Sequence, residues 1–359
     1  MRQAIWGLVF GVATAGVAAA EAPKVVVDIA PLHSLVAQVM QGVGTPDLLI
    51  RPEVSPHHYK MRPSEAKALQ DADVVFWIGH ELTPKLEDTI PTVAPDAVAV
   101  EMMDAPGLIA LGFRDTAVFK LDEDDHEDHH DDKEHDADNH ADHDDHDDHA
   151  AHDDHEDNHG DHKDEHGDHE EGHDDHGDEH DDHAHDHDGT DPHVWLDPQN
   201  GVAMIAAIAD TLATVDPENA SAYAANAKQA QADLEAMIDE IGAVLAPVAD
   251  APFVVFHDAY HYFEDRYGLS AAGAILLRDG SSPSASRLSE VRDAMKERGV
   301  VCVFSEPQFN PKLVKTVADG IDTKSIELDP IGVQQTLGAT LYPDMLRALA
   351  SDIASCLKG

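Results

Sequence analysis

The chain has 359 residues, two cysteines and a net charge of −49, from 72 Asp and Glu against 23 Lys and Arg. Residues 122–188 hold 20 of the 27 His and 34 of the acids, with only Lys133 and Lys163 in return, so −32 of that charge lies there and −17 on the rest. The remaining acidic balance argues against nucleic acid and anionic membrane surfaces as partners.

In chain order, the N-terminus MRQAIWGLVFGVATAGVAAAEAPKV carries a cation at Arg2, an apolar run over 5–17, and small residues at Ala18 and Ala20. This pattern predicts a secretory signal peptide over 1–20. The apolar run falls short of the ~20 residues that a spanning helix needs. No Cys stands at the cleavage region to carry a lipid, so the expected mature form is a periplasmic monomer without a membrane anchor.

Short apolar, β-branched runs then alternate with helical patterns. They fall at 24–29, 47–50, 74–78 and 97–101, and again at 253–256, 300–304 and 324–328. Such alternation predicts an α/β fold of two βα lobes with largely parallel sheets. The first lobe is expected over 21–121, completed by 189–216, and the second over 248–359. Between them 217–247 is rich in Ala, Glu and Gln with no interior Pro, which predicts one rigid connecting helix of about 25 residues, ~38 Å long. Met204, Ile205, Ile208 and Leu212 repeat at helical spacing and read as core.

Interrupting the first lobe, 122–188 has too little apolar content to offset its ordering entropy and is expected to be a disordered insertion. Acid alone would serve as a solvated linker. His recurring every three or four residues (His140, His143, His146, His149, His152, His155) adds the imidazoles that capture divalent metals. Cys302 and Cys356 both belong to the exported part, where a pair reads as one disulfide, with two buried free thiols as the alternative.

Seven His lie outside the tract, and three of them sit in polar, turn-rich contexts beside strand ends: His57 in RPEVSPHHYKMRPSE, His193 in TDPHVWLDP, and His257 in VVFHDAY. Open α/β sheets bind ligands outside the carboxyl ends of their strands. Three neutral imidazoles converging there suit tetrahedral Zn2+, with Asp329 of ELDPIG or a water as fourth ligand. Glu306, in FSEPQF, is the carboxylate expected to accept the other N–H of a ligating imidazole. His58 points elsewhere in this reading, and His33 and His80 are placed at the surface or beside the site. His261 could share a helical face with His257.

The strings SPHHYKMRPSE, DPHVWLDP, VVFHDAYHYFEDRYGL, CVFSEPQFNPKLV and LDPIG resemble the ZnuA type of periplasmic zinc-binding proteins of ABC importers, over essentially the whole mature chain. A His/acid loop just before the DPH motif is a further trait of that family. The resemblance implies His57, His193 and His257 as metal ligands and Cys302–Cys356 as a disulfide. It also implies a function: capture of Zn2+ between the lobes and delivery to an inner-membrane ABC permease with its ATPase subunit. Manganese-binding relatives have Glu where this chain has His257. One departure is Pro56, where some members have Glu before the first ligand. The rival readings are a periplasmic zinc store or chaperone and a secreted zinc hydrolase. Neither an H-E-x-x-H helix nor a G-x-S-x-G turn occurs, so no enzyme is expected.

Overall fold

The computed structural model describes residues 22–119, 189–277 and 283–358. The expected signal peptide and the His/acid-rich tract lie outside the described residues.

Two four-stranded parallel sheets frame the molecule. The first holds β1 (Val25–Val27), β2 (Asp47–Leu48), β3 (Val74–Trp77) and β4 (Val98–Glu101) in the order β2-β1-β3-β4. The second holds β5 (Phe253–His257), β6 (Ala271–Leu276), β7 (Cys302–Ser305) and β8 (Lys324–Glu327) in the order β6-β5-β7-β8. The central strands are buried throughout, as VVV, VVFW and FVVFH require when helices cover both faces of a parallel sheet. Each chain path steps to one side of its first strand and then doubles back to the other. That reversal opens a crevice at the carboxyl ends of β1 and β3, and an equivalent one at those of β5 and β7.

The sequence pattern predicts three strands in the second sheet, and the structure has a fourth, β6. Its segment AAGAIL carries a single β-branched residue and so gives little strand signal. Small residues are required there by what lies alongside. Val118 pairs antiparallel with Gly273, Ala274 N donates to Ala117 O (3.1 Å) and Phe119 N to Ala272 O (3.1 Å). A Cβ on residue 273 would stand 2.3 Å from Ala117 O. Residues 117–119, which follow the first sheet in sequence, therefore edge the second.

The helices are α1 (Ala30–Val39), α2 (Pro63–Gln70), α3 (Pro84–Val93), α4 (Pro198–Val215), α5 (Ala220–Leu245), α6 (His261–Tyr267), α7 (Ala285–Glu297), α8 (Lys312–Ala318) and α9 (Leu341–Leu357). The long helix α5 has 26 residues, about 39 Å at 1.5 Å per residue. It starts at Ala220 rather than at 217. Asp216 Oδ2 accepts from Asn219 Nδ2 (2.8 Å) and from the Tyr223 hydroxyl (2.7 Å), and this turn separates α4 from α5. Tyr223, Ala227, Ala230, Leu234, Met237, Ile241 and Leu245 make its buried stripe, which packs on α4, α1 and α9. One apolar cluster runs from β1 to α9, and a smaller one fills the outer face of the second sheet around Val254, Phe256, Ile275 and Val303. Among the described residues no helix is long and apolar enough to cross a membrane.

His33 departs from the surface or near-site placement expected of it. It lies on the inward face of α1, buried, with Nε2 3.0 Å from Pro46 O, and burial lowers its pKa.

Cys302 on β7 and Cys356 on α9 form a disulfide across 54 residues, which settles the pair against two free thiols. Closing such a loop stabilises the fold by about 4 kcal/mol on the chain-entropy model. Cys302→Ser with Cys356→Ser is expected to lower unfolding free energy by that amount in urea titration. A loss below about 1 kcal/mol would mean the denatured chain is already constrained.

Candidate metal centre

Three elements bring the three imidazoles together. His57 sits in a single 3-10 turn, Pro56–His58, reached from β2 through a loop; the buried Pro56 fixes the backbone at the turn's first position. His193 precedes the turn Val194–Leu196, which is sealed by Trp195 Nε1 donating to Pro330 O (2.8 Å) and the Tyr342 hydroxyl donating to Trp195 O (2.7 Å). His257 ends β5, where the second sheet opens its crevice.

Their Nε2 atoms converge. His193 Nε2 is 3.4 Å from His57 Nε2 and 3.4 Å from His257 Nε2. Two nitrogens bound at 2.0–2.1 Å and subtending a tetrahedral angle stand about 3.4 Å apart, so the spacing fits Zn2+. Among the described residues these three make the one group of His, Cys, Asp or Glu close enough to hold an ion. His193 and His257 are buried and His57 half-buried.

Carboxylates behind the rings fix their tautomers. His193 Nδ1 is 2.7 Å from Asp191 Oδ1, and His257 Nδ1 is 2.6 Å from Glu306 Oε1. Each Nδ1–H donates outward, which leaves the Nε2 lone pairs facing one another. A cation between them removes that repulsion and uses both lone pairs. Burial pushes the Asp191 carboxyl up to about 7, against the His193 amide that donates to it. A bound cation works in the opposite direction by drawing Nδ1–H further toward the carboxylate.

The cavity at the rings has a volume of about 30 Å³, and Trp195, Phe309, Pro330, Gln308 and Ile331 help to wall it. An ion and one water fit such a space. Sites for organic ligands run to about 300–1,000 Å³.

The family model for zinc-uptake complex component A, periplasmic, matches residues 25–356. The chain belongs to the ZnuA family. The high-affinity zinc uptake system protein ZnuA of Brucella abortus (strain 2308) is 45% identical over 339 residues, covering 94% of this chain and 93% of its own. That of Paracoccus denitrificans (strain Pd 1222) is 44% identical over 341 residues, covering 95% and 93%. In fold, the chain superposes on a ZnuA crystal structure with TM-score 0.66 at 22% identity, covering 93% of this chain and 99% of that one. A Mn2+ complex of the solute-binding protein FpvC from Pseudomonas aeruginosa gives TM-score 0.67 at 19% identity, covering 94% and 98%. The ZnuA family thus accounts for the two parallel sheets, while the identity of the ion rests on the site itself.

Asp329 is not in the imidazole group. Its carboxylate turns back on its own loop and accepts from the amides of Gly332 (2.9 Å), Gln334 (2.8 Å) and Ile331 (3.3 Å). His80 is exposed, with Nε2 3.2 Å from Glu81 Oε1. His261, on α6, stands behind the site with Nδ1 4.0 Å from Asp191 Oδ2.

Two groups escape the sequence reading. Asp191 is one; its signal is its place two residues before His193 in DPH, where a turn returns the side chain onto the ring. The other is a buried cluster around Arg114. Its Nε donates to Asp258 Oδ1 and Oδ2 (both 3.0 Å), its Nη1 to Glu264 Oε2 (2.9 Å), and its guanidinium lies 3.8 Å from the Phe119 ring centre. Asp258 directly follows His257, so this clamp braces the end of β5. Burial raises the Asp258 pKa to about 6, with Arg114 opposing.

Proposed function

We propose that this chain captures Zn2+ between its two lobes through His57, His193 and His257 and hands it to an ABC permease driven by a separate ATPase subunit. In this reading the lobes are 21–121 with 189–216 on one side and 248–359 on the other, linked by 217–247, except that 117–119 lie along the edge of the second sheet. The observation that carries this reading is the pair of 3.4 Å Nε2 separations among three imidazoles. Borderline nitrogen donors favour Zn2+ over hard-donor ions such as Mn2+. Relatives named as high-affinity zinc uptake proteins, at 45% identity, support transport as the purpose of the capture. The His-rich tract before the DPH motif raises the local zinc concentration, and export by the N-terminal signal places the chain in the periplasm.

Calorimetric zinc titration with and without 122–188 tests this reading. The deleted form is expected to fold and keep one tight zinc while losing the weaker ones, because removing an insertion without core costs little. Loss of the tight site with unchanged circular dichroism would show that the tract supplies primary ligands. In cells lacking their own binding protein, the chain is expected to restore growth on scarce zinc only when its cognate permease is present.

A further inference from the structure

Gln308 lies two residues beyond Glu306, in the loop between β7 and α8, and lines the cavity of the three imidazoles. Its Nε2 is 3.3 Å from Pro52 O, in the loop after β2. A peptide carbonyl only accepts, so this contact sets which end of the amide is nitrogen. The nitrogen reaches across to the first lobe, and Oε1 is left on the other side. That oxygen is buried, and among the described residues no donor reaches it. Orphaned buried carbonyls are rare because each forfeits its hydrogen bond with water.

Three imidazoles fill three corners of a tetrahedron. Asp329, the carboxylate on the neighbouring loop, is held by three amides of that loop. The cavity of about 30 Å³ admits an ion and one water. We propose that Gln308 Oε1 accepts a hydrogen bond from the water that completes the tetrahedron around bound Zn2+. Gln308 is then a positioning residue for the fourth ligand. Metal-bound water is a stronger donor than bulk water, because the ion draws charge from its O–H bonds. The same side chain joins the two lobes through Pro52, so the fourth ligand is held only where the lobes meet. This inference rests on the three-His reading.

Two substitutions separate the two ends of the amide. Gln308→Met keeps length and removes both polar atoms; Gln308→Glu keeps an oxygen acceptor and loses the donor to Pro52. With Zn2+ titrated against a chelator, Gln308→Met is expected to weaken binding about 10-fold, the low end of what an outer partner of a ligand is worth. Gln308→Glu is expected to stay within about 3-fold of wild type or to tighten. With Co2+ as spectroscopic probe, Gln308→Met is expected to shift the visible absorption, which reports the ion's ligands and which a merely structural role would not move. Equal losses in both variants with an unshifted Co2+ spectrum would reduce Gln308 to its contact with Pro52 and overturn the proposal, as would wild-type affinity in both. His193→Ala run in parallel tells the two failures apart: zinc binding that survives it sinks the three-His reading itself.

Discussion

His193→Ala is expected to weaken zinc binding by more than about 100-fold, since even a group that only orients a ligand is worth 10–100-fold. His193 is the central ring of the three, with Nε2 at 3.4 Å from each partner. Removing it takes away a ligand and also strands the buried Asp191, whose Oδ1 it holds at 2.7 Å. Alanine at His57 is expected to cost less, because that ring is half-buried and its place can be filled by solvent. Competition with a zinc chelator measures this, with circular dichroism to confirm the fold. Affinity within 10-fold of wild type would remove His193 from the ligands. His257→Glu, in the same assay, is expected to shift the Zn/Mn affinity ratio toward manganese by exchanging nitrogen for a hard oxygen. An unchanged ratio would count against His257.

Zinc affinity is expected to fall steeply between pH 7 and pH 5, while three buried acids push the stability of the zinc-free protein up over the same range. The first effect follows from competition: each ligand must be a neutral imidazole, and protons compete with the ion for the same ring nitrogens. The second has the opposite sign. Burial raises the carboxyls of Asp28 and Asp191 from 3.8 to about 7 and that of Asp258 to about 6. Asp28, at the end of β1, is wholly enclosed and accepts the amides of Ile29 (2.7 Å) and Ile78 (2.8 Å). A carboxyl that holds its proton more tightly when folded contributes stability fully below about pH 4, and that contribution is lost as pH rises through 6 to 7. Melting curves with and without zinc at both pH values test the pair of effects. The zinc-induced rise in Tm should collapse at pH 5 without a fall in the zinc-free Tm. A zinc-free Tm that drops on acidification would show that groups buried neutral, such as His33 with its pKa lowered by burial, outweigh these acids.

What was legible in the sequence, and what was not, divides along physical lines. The strands of VVV and VVFW type could be read because continuous β-branched and aromatic runs are what a two-sided parallel sheet buries. The strand AAGAIL could not, since Gly273 answers to a backbone segment more than 150 residues earlier, and no local window contains that neighbour. His57, His193 and His257 stood out through their turn-rich settings at strand ends. Glu306 followed from the need of an imidazole for an acceptor, and the structure puts its Oε1 2.6 Å from His257 Nδ1. Asp329 carried the same kind of signal, an acid at a strand end, yet its loop folds three amides onto it. A carboxylate's type and position fix that it will be satisfied, but not by whom. Arg114 was silent for a related reason: its partners Asp258 and Glu264 are 144 and 150 residues away.

That distance also matters for the imidazoles. His57 and His193 are 136 residues apart in the chain, and His193 and His257 are 64 apart. An ion held as proposed closes both loops at once, so it acts on chain topology as a reversible staple that the disulfide between β7 and α9 does not duplicate. At a zinc level 1,000-fold above its dissociation constant such a staple adds about 4 kcal/mol to folding stability. Unloaded molecules open more often, and proteases act on what opens. The lifetime of this chain in the cell is therefore expected to follow its load, with the copies that carry nothing cleared soonest.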